Sequence, residues 1–342
     1  MGKRTRTLVI AASLATASVP AGASVYPAMY NFGDSLSDVG NVYVATGGAY
    51  PVPQYTDGIT SGRFTNGKNW VDDLSADLGL GSVLPSILGG NDFAVGGAQT
   101  GTTLVHSDVT LVDLDQQVLT FQALKPSPVA GALYTLDIGA NDIGAALSAL
   151  ASNAITPADL PMFLADAIGN TVTAVGDLFA DGARNLLFYE VPDLSLVPAF
   201  EAAGPLGGML AQEFNQGVLQ GIARLEGGPD GLTVFDLPIF SEIDAIVKDP
   251  GAFELTNAQD PCFSGDPKTP GTVCDSPDTY LFWDHEHPTA AGHALTAGFA
   301  EKLLTPVPEA STWEMLLSGF AGLGLVGWRA RRVRPITVRA RG

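Results

Sequence analysis

The sequence predicts an α/β fold with a mostly parallel central sheet covered by helices on both faces, and two observations carry that expectation. Five short apolar segments, at residues 28–32, 93–95, 132–138, 185–191 and 232–237, have the character of buried strands. Between them run longer stretches that read as helices, at residues 69–78, 109–124, 158–179 and 206–225. Strand alternating with helix favours parallel pairing, with helices on both faces of the sheet. Ligands in such folds sit beyond the carboxyl ends of the strands. The 342 residues allow one large or two ordinary domains, and a hydrophobic content of 46% suits a globular core. With no long linker, heptad run or repeat between the ends, one domain over residues 24–305 is the simplest reading.

The amino end lies outside that domain. Lys3, Arg4 and Arg6 precede an apolar stretch at residues 8–19, and Ala21-Gly22-Ala23 has the small-x-small pattern of a signal-peptidase site. Residues 1–23 therefore read as a signal peptide, cleaved after Ala23. The first strand, at 28–32, runs into Gly33, which permits a sharp exit that a Cβ would resist. Asp34 and Ser35 are good helix starters, so strand, turn and helix N-terminus are expected within a few residues. Such a junction exposes the Ser35 hydroxyl at the sheet's carboxyl edge, beside free backbone N–H groups that suit a developing negative charge.

A serine hydroxyl is a poor nucleophile at neutral pH and needs a base to take its proton. Of the four histidines, His106, His285, His287 and His293, three fall between residues 282 and 293. His287 is the candidate base, since Pro288 biases it away from helical angles and Thr289 can cap the helix that follows. Asp284, three residues earlier, can reach back to the other ring nitrogen, fix its tautomer and stabilise the imidazolium. Attack on a carbonyl creates an oxyanion, and three donors are available for it: the Ser35 N–H, a backbone N–H of the Gly96-Gly97 pair, and the Asn141 side-chain amide. A metal reading of His285, Glu286, His287 and His293 fails, because alternate residues of an extended segment point apart and the helical HExxH pattern is absent. No phosphate loop or dinucleotide fingerprint is present.

Four segments, YNFGDSLSDVGN at 30–41, NDFAVGGAQT at 91–100, IGANDI at 138–143 and FWDHEHPTAAGH at 282–293, occur in the order seen in the GDSL, or SGNH, family of serine esterases and lipases. The chain resembles that family from about Tyr30 to Leu304. SGRFTNGKN at 61–69 and VPDLSLVP at 191–198 extend the likeness, with Ser195 where the family usually has glycine. The resemblance implies a three-layer, flavodoxin-like SGNH hydrolase fold and no cofactor. It implies Ser35, Asp284 and His287 as catalytic residues, in the family's DxxH arrangement, and Ser35, Gly97 and Asn141 as the oxyanion hole. The implied activity is cleavage of carboxylic esters by a serine hydrolase through an acyl-serine, with carbohydrate O-deacetylase or acyltransferase as alternatives of the same fold. A non-catalytic surface-binding protein is the rival from another class, and it is disfavoured because all the reactive side chains are retained.

The carboxyl end carries Pro308-Glu309, an apolar segment at 313–328 and then Arg329, Arg331, Arg332, Arg334, Arg339 and Arg341. The apolar segment is short for crossing roughly 30 Å of hydrocarbon. Residues 306–342 resemble a PEP-CTERM sorting signal, which implies export in a Gram-negative bacterium, processing by an exosortase and transient inner-membrane association. The protein is thus expected in the periplasm, at the cell surface or in the extracellular matrix. Over residues 24–311 there remain 8 basic against 35 acidic residues, a net charge of −27. A body so acidic is repelled by nucleic acid and by anionic lipid surfaces. Cys262 and Cys274, in a Pro- and Gly-rich loop, fit no zinc spacing and in an exported protein read as a disulfide that stiffens the segment delivering Asp284 and His287.

Overall fold

The computed structural model describes residues 25–55, 61–103 and 112–305. The expected signal peptide and sorting tail lie outside these residues, as does His106. Four strands, β1 (Met29–Gly33), β2 (Leu133–Asp137), β3 (Asn185–Tyr189) and β4 (Thr233–Leu237), form a parallel sheet in the order β1-β2-β3-β4. Their register places Gly33, Asp137, Tyr189 and Leu237 side by side, so the strands end on one edge.

The expected strand at 93–95 is an extended segment rather than a full strand. Asn31 N donates to Asn91 O, Phe93 N to Asn31 O and Val95 N to Gly33 O, which begins a parallel ladder outside β1. The ladder breaks because the Gln117 side chain takes the Gly33 N–H at 2.9 Å and donates back to Gly33 O at 2.8 Å. With this segment counted as the second strand in the chain, the spatial order is 2-1-3-4-5, the flavodoxin-like order, whose ligand crevice lies at the switch point beside β1.

Period-two alternation decides which helices cover which face. Tyr30 and Phe32 of β1 point to the side where Phe121 of α3 (Leu114–Leu124) packs edge-on against both rings. Tyr189 points to the opposite side, where it meets Trp70 of α2 (Trp70–Asp77). The first face also carries α5 (Leu160–Ala180) and α6 (Pro205–Ile222), packed together, and the second carries α8 (Ala290–Leu304) against α2. These make the two outer layers around β1, β2 and β3, which are buried almost throughout, while the edge strand β4 is buried only at Leu237.

The elements depart from the sequence reading in several places. No helix begins at Ser35: residues 34–38 make one turn, closed by Asp38 N donating to Asp34 O at 3.0 Å, and the next helix is the five-residue α1 (Asn41–Ala45). The expected helix at 109–124 begins at Leu114, because Val112 is not helical and the extended Asp113 stands at the N-cap; residues 104–111 lie outside the described part. Helices α4 (Ala140–Ala151) and α7 (Ile239–Lys248) were not anticipated. A small second sheet pairs β5 (Asn257–Pro261) with β6 (Tyr280–Phe282), and it too was unforeseen.

Beside β6 lies a satellite core of Val52, Tyr55, Cys262, Phe263 and Trp283. The Cys262–Cys274 disulfide closes its hairpin over a separation of 12 residues, a loop worth roughly 3 kcal/mol in the chain-entropy account. Phe263 and Trp283 stack at 5.2 Å, and Tyr55 stands edge-on to both.

Candidate active site

The Ser35 turn is built around glycine and buried carboxylates. Gly33 has φ +148°, and a Cβ there would lie 1.7 Å from Asp137 Oδ1. That close approach lets Asp137 accept from Asp34 N at 3.0 Å and from Ser37 Oγ at 2.6 Å, which pins the turn to the end of β2. Trp70 Nε1 in turn donates to Ser37 Oγ at 3.1 Å, tying α2 to the same turn. Asp38, wholly buried, accepts from the N–H groups of Gly40, Asn41, Val42 and Gly96. Burial pushes its pKa up to about 6 against those donors. Asn41 donates to the Asp92 and Ala94 carbonyls at 2.9 Å each. Asp38 and Asn41 thus brace the turn against the segment at 91–97.

Three side chains from opposite ends of the chain meet here. His287 Nε2 lies 2.8 Å from Ser35 Oγ, and His287 Nδ1 lies 2.8 Å from Asp284 Oδ2 and 3.0 Å from Oδ1. In the neutral imidazole, Nδ1–H donates to Asp284 and Nε2 accepts the Ser35 hydroxyl proton, the arrangement general-base activation requires. His287 and Asp284 are 4% and 2% exposed, so water hardly competes for these bonds. Thr289 accepts from Gly292 N at 3.0 Å and caps α8, which fixes the chain leaving His287.

The charge balance follows from the same contacts. Burial alone would lower the His287 pKa, but the Asp284 charge and hydrogen bond outweigh it, with Glu286 and Asp34 adding to them, and raise it to about 9. Burial works to raise the Asp284 pKa, but His287, the Tyr55 hydroxyl and the Glu286 N–H hold it below the usual carboxylate range. Asp284 also accepts from His287 N at 2.7 Å. His293 is buried on α8, and burial with the nearby His287 charge drives its pKa down to about 3. His285 is exposed.

The candidate oxyanion donors differ in what they already bond. Gly96 N already donates to Asp38 Oδ2 at 2.9 Å, and a Cβ on Gly96 would lie 2.3 Å from the Phe64 ring. Among the described residues, the N–H groups of Ser35 and Gly97 have no hydrogen-bond partner. Gly97, at φ +83°, holds a backbone conformation that favours glycine. Asn141 stands at the start of α4, beyond the end of β2, as the switch-point geometry requires. Its amide donates to Ala98 O at 3.0 Å and to Asp34 Oδ2 at 3.2 Å, so both hydrogens point inward at rest. Its neighbour Asp142 accepts from Thr100 N and Thr100 Oγ1, which ties α4 to the 91–100 segment. Arg63 makes a paired contact with Asp72, with Nε donating at 2.9 Å and Nη2 at 2.7 Å, a structural role rather than a cleft-lining one.

Two site residues were missed in the sequence. Tyr55, buried at 0% exposure, donates its hydroxyl to Asp284 Oδ2, and Phe64 stacks on the His287 ring at 5.5 Å. Phe64 sits inside the family-like SGRFTNGKN stretch and could have been found there; Tyr55 has no local signal, because its partner is 229 residues away.

GDSL esterase/lipase At4g16230 of Arabidopsis thaliana is 25% identical over 317 residues, spanning 79% of this chain and 85% of its own. GDSL esterase/lipase APG of the same plant is 25% identical over 324 residues, spanning 80% and 90%. Among solved structures, a member of the lipolytic G-D-S-L family from Veillonella parvula has a TM-score of 0.41 at 13% identity, covering 82% of this chain and 98% of its own. Residues 306–332 match the PEP-CTERM protein-sorting motif. Residues 29–298, which hold all four motif segments, match the GDSL-like Lipase/Acylhydrolase family, and the chain belongs to that family of carboxylic ester hydrolases.

Proposed function

We propose that the protein cleaves carboxylic esters through an acyl-serine intermediate formed on Ser35. The observation that carries this reading is the unbroken line from Ser35 Oγ through His287 to Asp284, with contacts of 2.8 Å on either side of the imidazole. Ser35 Oγ attacks the carbonyl carbon and its proton passes to His287 Nε2. The oxyanion is received by the N–H groups of Ser35 and Gly97 and by the Asn141 hydrogen released from its 3.2 Å contact with Asp34. Each such donor contributes on the order of 3 kcal/mol to the transition state. Collapse expels the alcohol, which takes the proton from His287; water then repeats the sequence to free the acid and restore Ser35. The PEP-CTERM motif supports an exported enzyme that signal peptidase and exosortase process, with a transient hold on the inner membrane through the tail.

The pH profile tests this directly. Only neutral His287 can accept the serine proton, so kcat/KM for a p-nitrophenyl ester is expected to rise with pH along a limb centred near pH 9. The groups facing that imidazole are Asp284, Glu286, Asp34 and the buried His293, and Tyr55 acts through Asp284. A profile flat from about pH 6 to 10, or no turnover of either a short or a long ester, contradicts the reading.

A further inference from the structure

The Asp284 carboxylate divides its two oxygens between different kinds of partner. Oδ1 accepts from the backbone N–H groups of Glu286 and His287, at 2.7 Å each, contacts that belong to its own turn. Oδ2 is the oxygen nearer His287 Nδ1, at 2.8 Å against 3.0 Å for Oδ1, and its other partner is the Tyr55 hydroxyl. Anchored through Oδ1 alone, a carboxylate can still turn about its Cβ–Cγ bond. The Tyr55 contact removes that freedom.

Tyr55 is held in place by structure outside the main core. It ends a short turn at Pro53–Tyr55, and its N–H donates to Val52 O at 3.0 Å. Val52 N donates to Pro267 O at 3.0 Å, inside the hairpin that Cys262 and Cys274 close. The same hairpin reaches the Asp284 side, where Cys262 N donates to Phe282 O at 3.0 Å and Phe263 N to Trp283 O at 2.6 Å. One disulfide-closed loop thus grips both chain segments that meet in the bond between Tyr55 and Asp284. Burial and the Asp284 charge push the Tyr55 hydroxyl far above the ordinary phenol range, so it stays a donor wherever the enzyme works.

We propose that Tyr55 is a positioning residue of the reaction, which fixes Asp284 Oδ2 against His287 Nδ1 and draws off part of the carboxylate charge. This rests on the acyl-serine reading above. A carboxylate that keeps all its charge stabilises the imidazolium more, so loss of the hydroxyl raises the His287 pKa and moves the kcat/KM limb to higher pH. The groups facing His287 are Asp284, Glu286, Asp34 and His293, and those facing Tyr55 are Asp284, Asp266 and Tyr50.

The test is Tyr55→Phe, which keeps the ring edge-on to Phe263 and Trp283. With a p-nitrophenyl ester, kcat is expected to fall about 10-fold with KM within about 2-fold, and the limb to rise by about half a pH unit or more. In an Asp284→Ala background the same substitution is expected to change kcat by less than about 2-fold, since its partner is gone. Placing 3-fluorotyrosine at position 55, a stronger donor of nearly the same shape, is expected to move the limb to lower pH. Unchanged kcat and limb in Tyr55→Phe, a full further loss in the Asp284→Ala background, or no downward shift with 3-fluorotyrosine overturns the proposal. The last arm decides alone where Tyr55→Phe does not fold. An NMR titration of His287 in Ser35→Ala, with and without Tyr55→Phe, reads the same shift without turnover. An upward shift there, in a protein whose wild type hydrolyses no ester, supports the role of Tyr55 and counts against the acyl-serine reading; no shift beside an active wild type overturns the role of Tyr55.

Discussion

Replacing Ser35 with alanine is expected to lower kcat for a p-nitrophenyl ester by on the order of 10⁶-fold, to the level left by binding and the oxyanion donors alone. The size follows from position. Ser35 stands on a turn that Asp137 and Asp38 hold in place through bonds to Asp34 N, Ser37 Oγ and Gly96 N, so removal of one Oγ leaves the frame intact. Ser35 is itself partly exposed, and its hydroxyl's one protein partner among the described residues is His287. The thermal midpoint of Ser35→Ala should therefore stay within a few degrees of wild type, by differential scanning calorimetry. Retained turnover in a folded Ser35→Ala variant would remove the nucleophile from the account.

Asp284→Asn is expected to cost about 10⁴-fold in kcat with little change in KM. Four donors converge on this carboxylate: the Tyr55 hydroxyl, the N–H groups of Glu286 and His287, and His287 Nδ1–H. An amide offers one acceptor atom where the carboxylate offers two. One donor must then face an NH₂ group, and if His287 turns to the other tautomer, its Nε2 carries the proton and can no longer take one from Ser35. The variant also leaves a buried donor unpaired, which costs about 1–3 kcal/mol of stability, so urea unfolding should be measured beside the kinetics. A loss of less than 10-fold would assign His287 orientation to Phe64 stacking instead.

The central sheet and the candidate triad were legible in the sequence for one physical reason. Buried parallel strands read as short apolar runs, and the turns that follow them carry the reactive side chains, so Ser35, Gly97 and Asn141 each stand just beyond a predicted strand. That the Gly96 N–H is already engaged could be seen only in coordinates, through its contact with Asp38. The broken strand at 91–95 was hidden because its competitor, Gln117, lies on a helix 84 residues from Gly33. Helix α4 was masked by its own start, where Gly-Ala-Asn-Asp reads as a turn and Asn141 is drawn toward the site. Helix α7 had a readable pattern, with Ile239, Ile243 and Ile246 on its buried stripe. Tyr55 illustrates the limit: a hydrogen bond to Asp284 across 229 residues leaves no trace in local composition.

The acyl-serine itself can be weighed. The protein is mixed with excess p-nitrophenyl ester, quenched in acid within milliseconds, digested, and its peptides are measured by mass spectrometry. The account predicts the acyl increment on the peptide containing Ser35, rising with the p-nitrophenol burst and absent from Ser35→Ala. Burst and turnover with the increment on another residue, or steady turnover with no acylated peptide under the same quench, would contradict it.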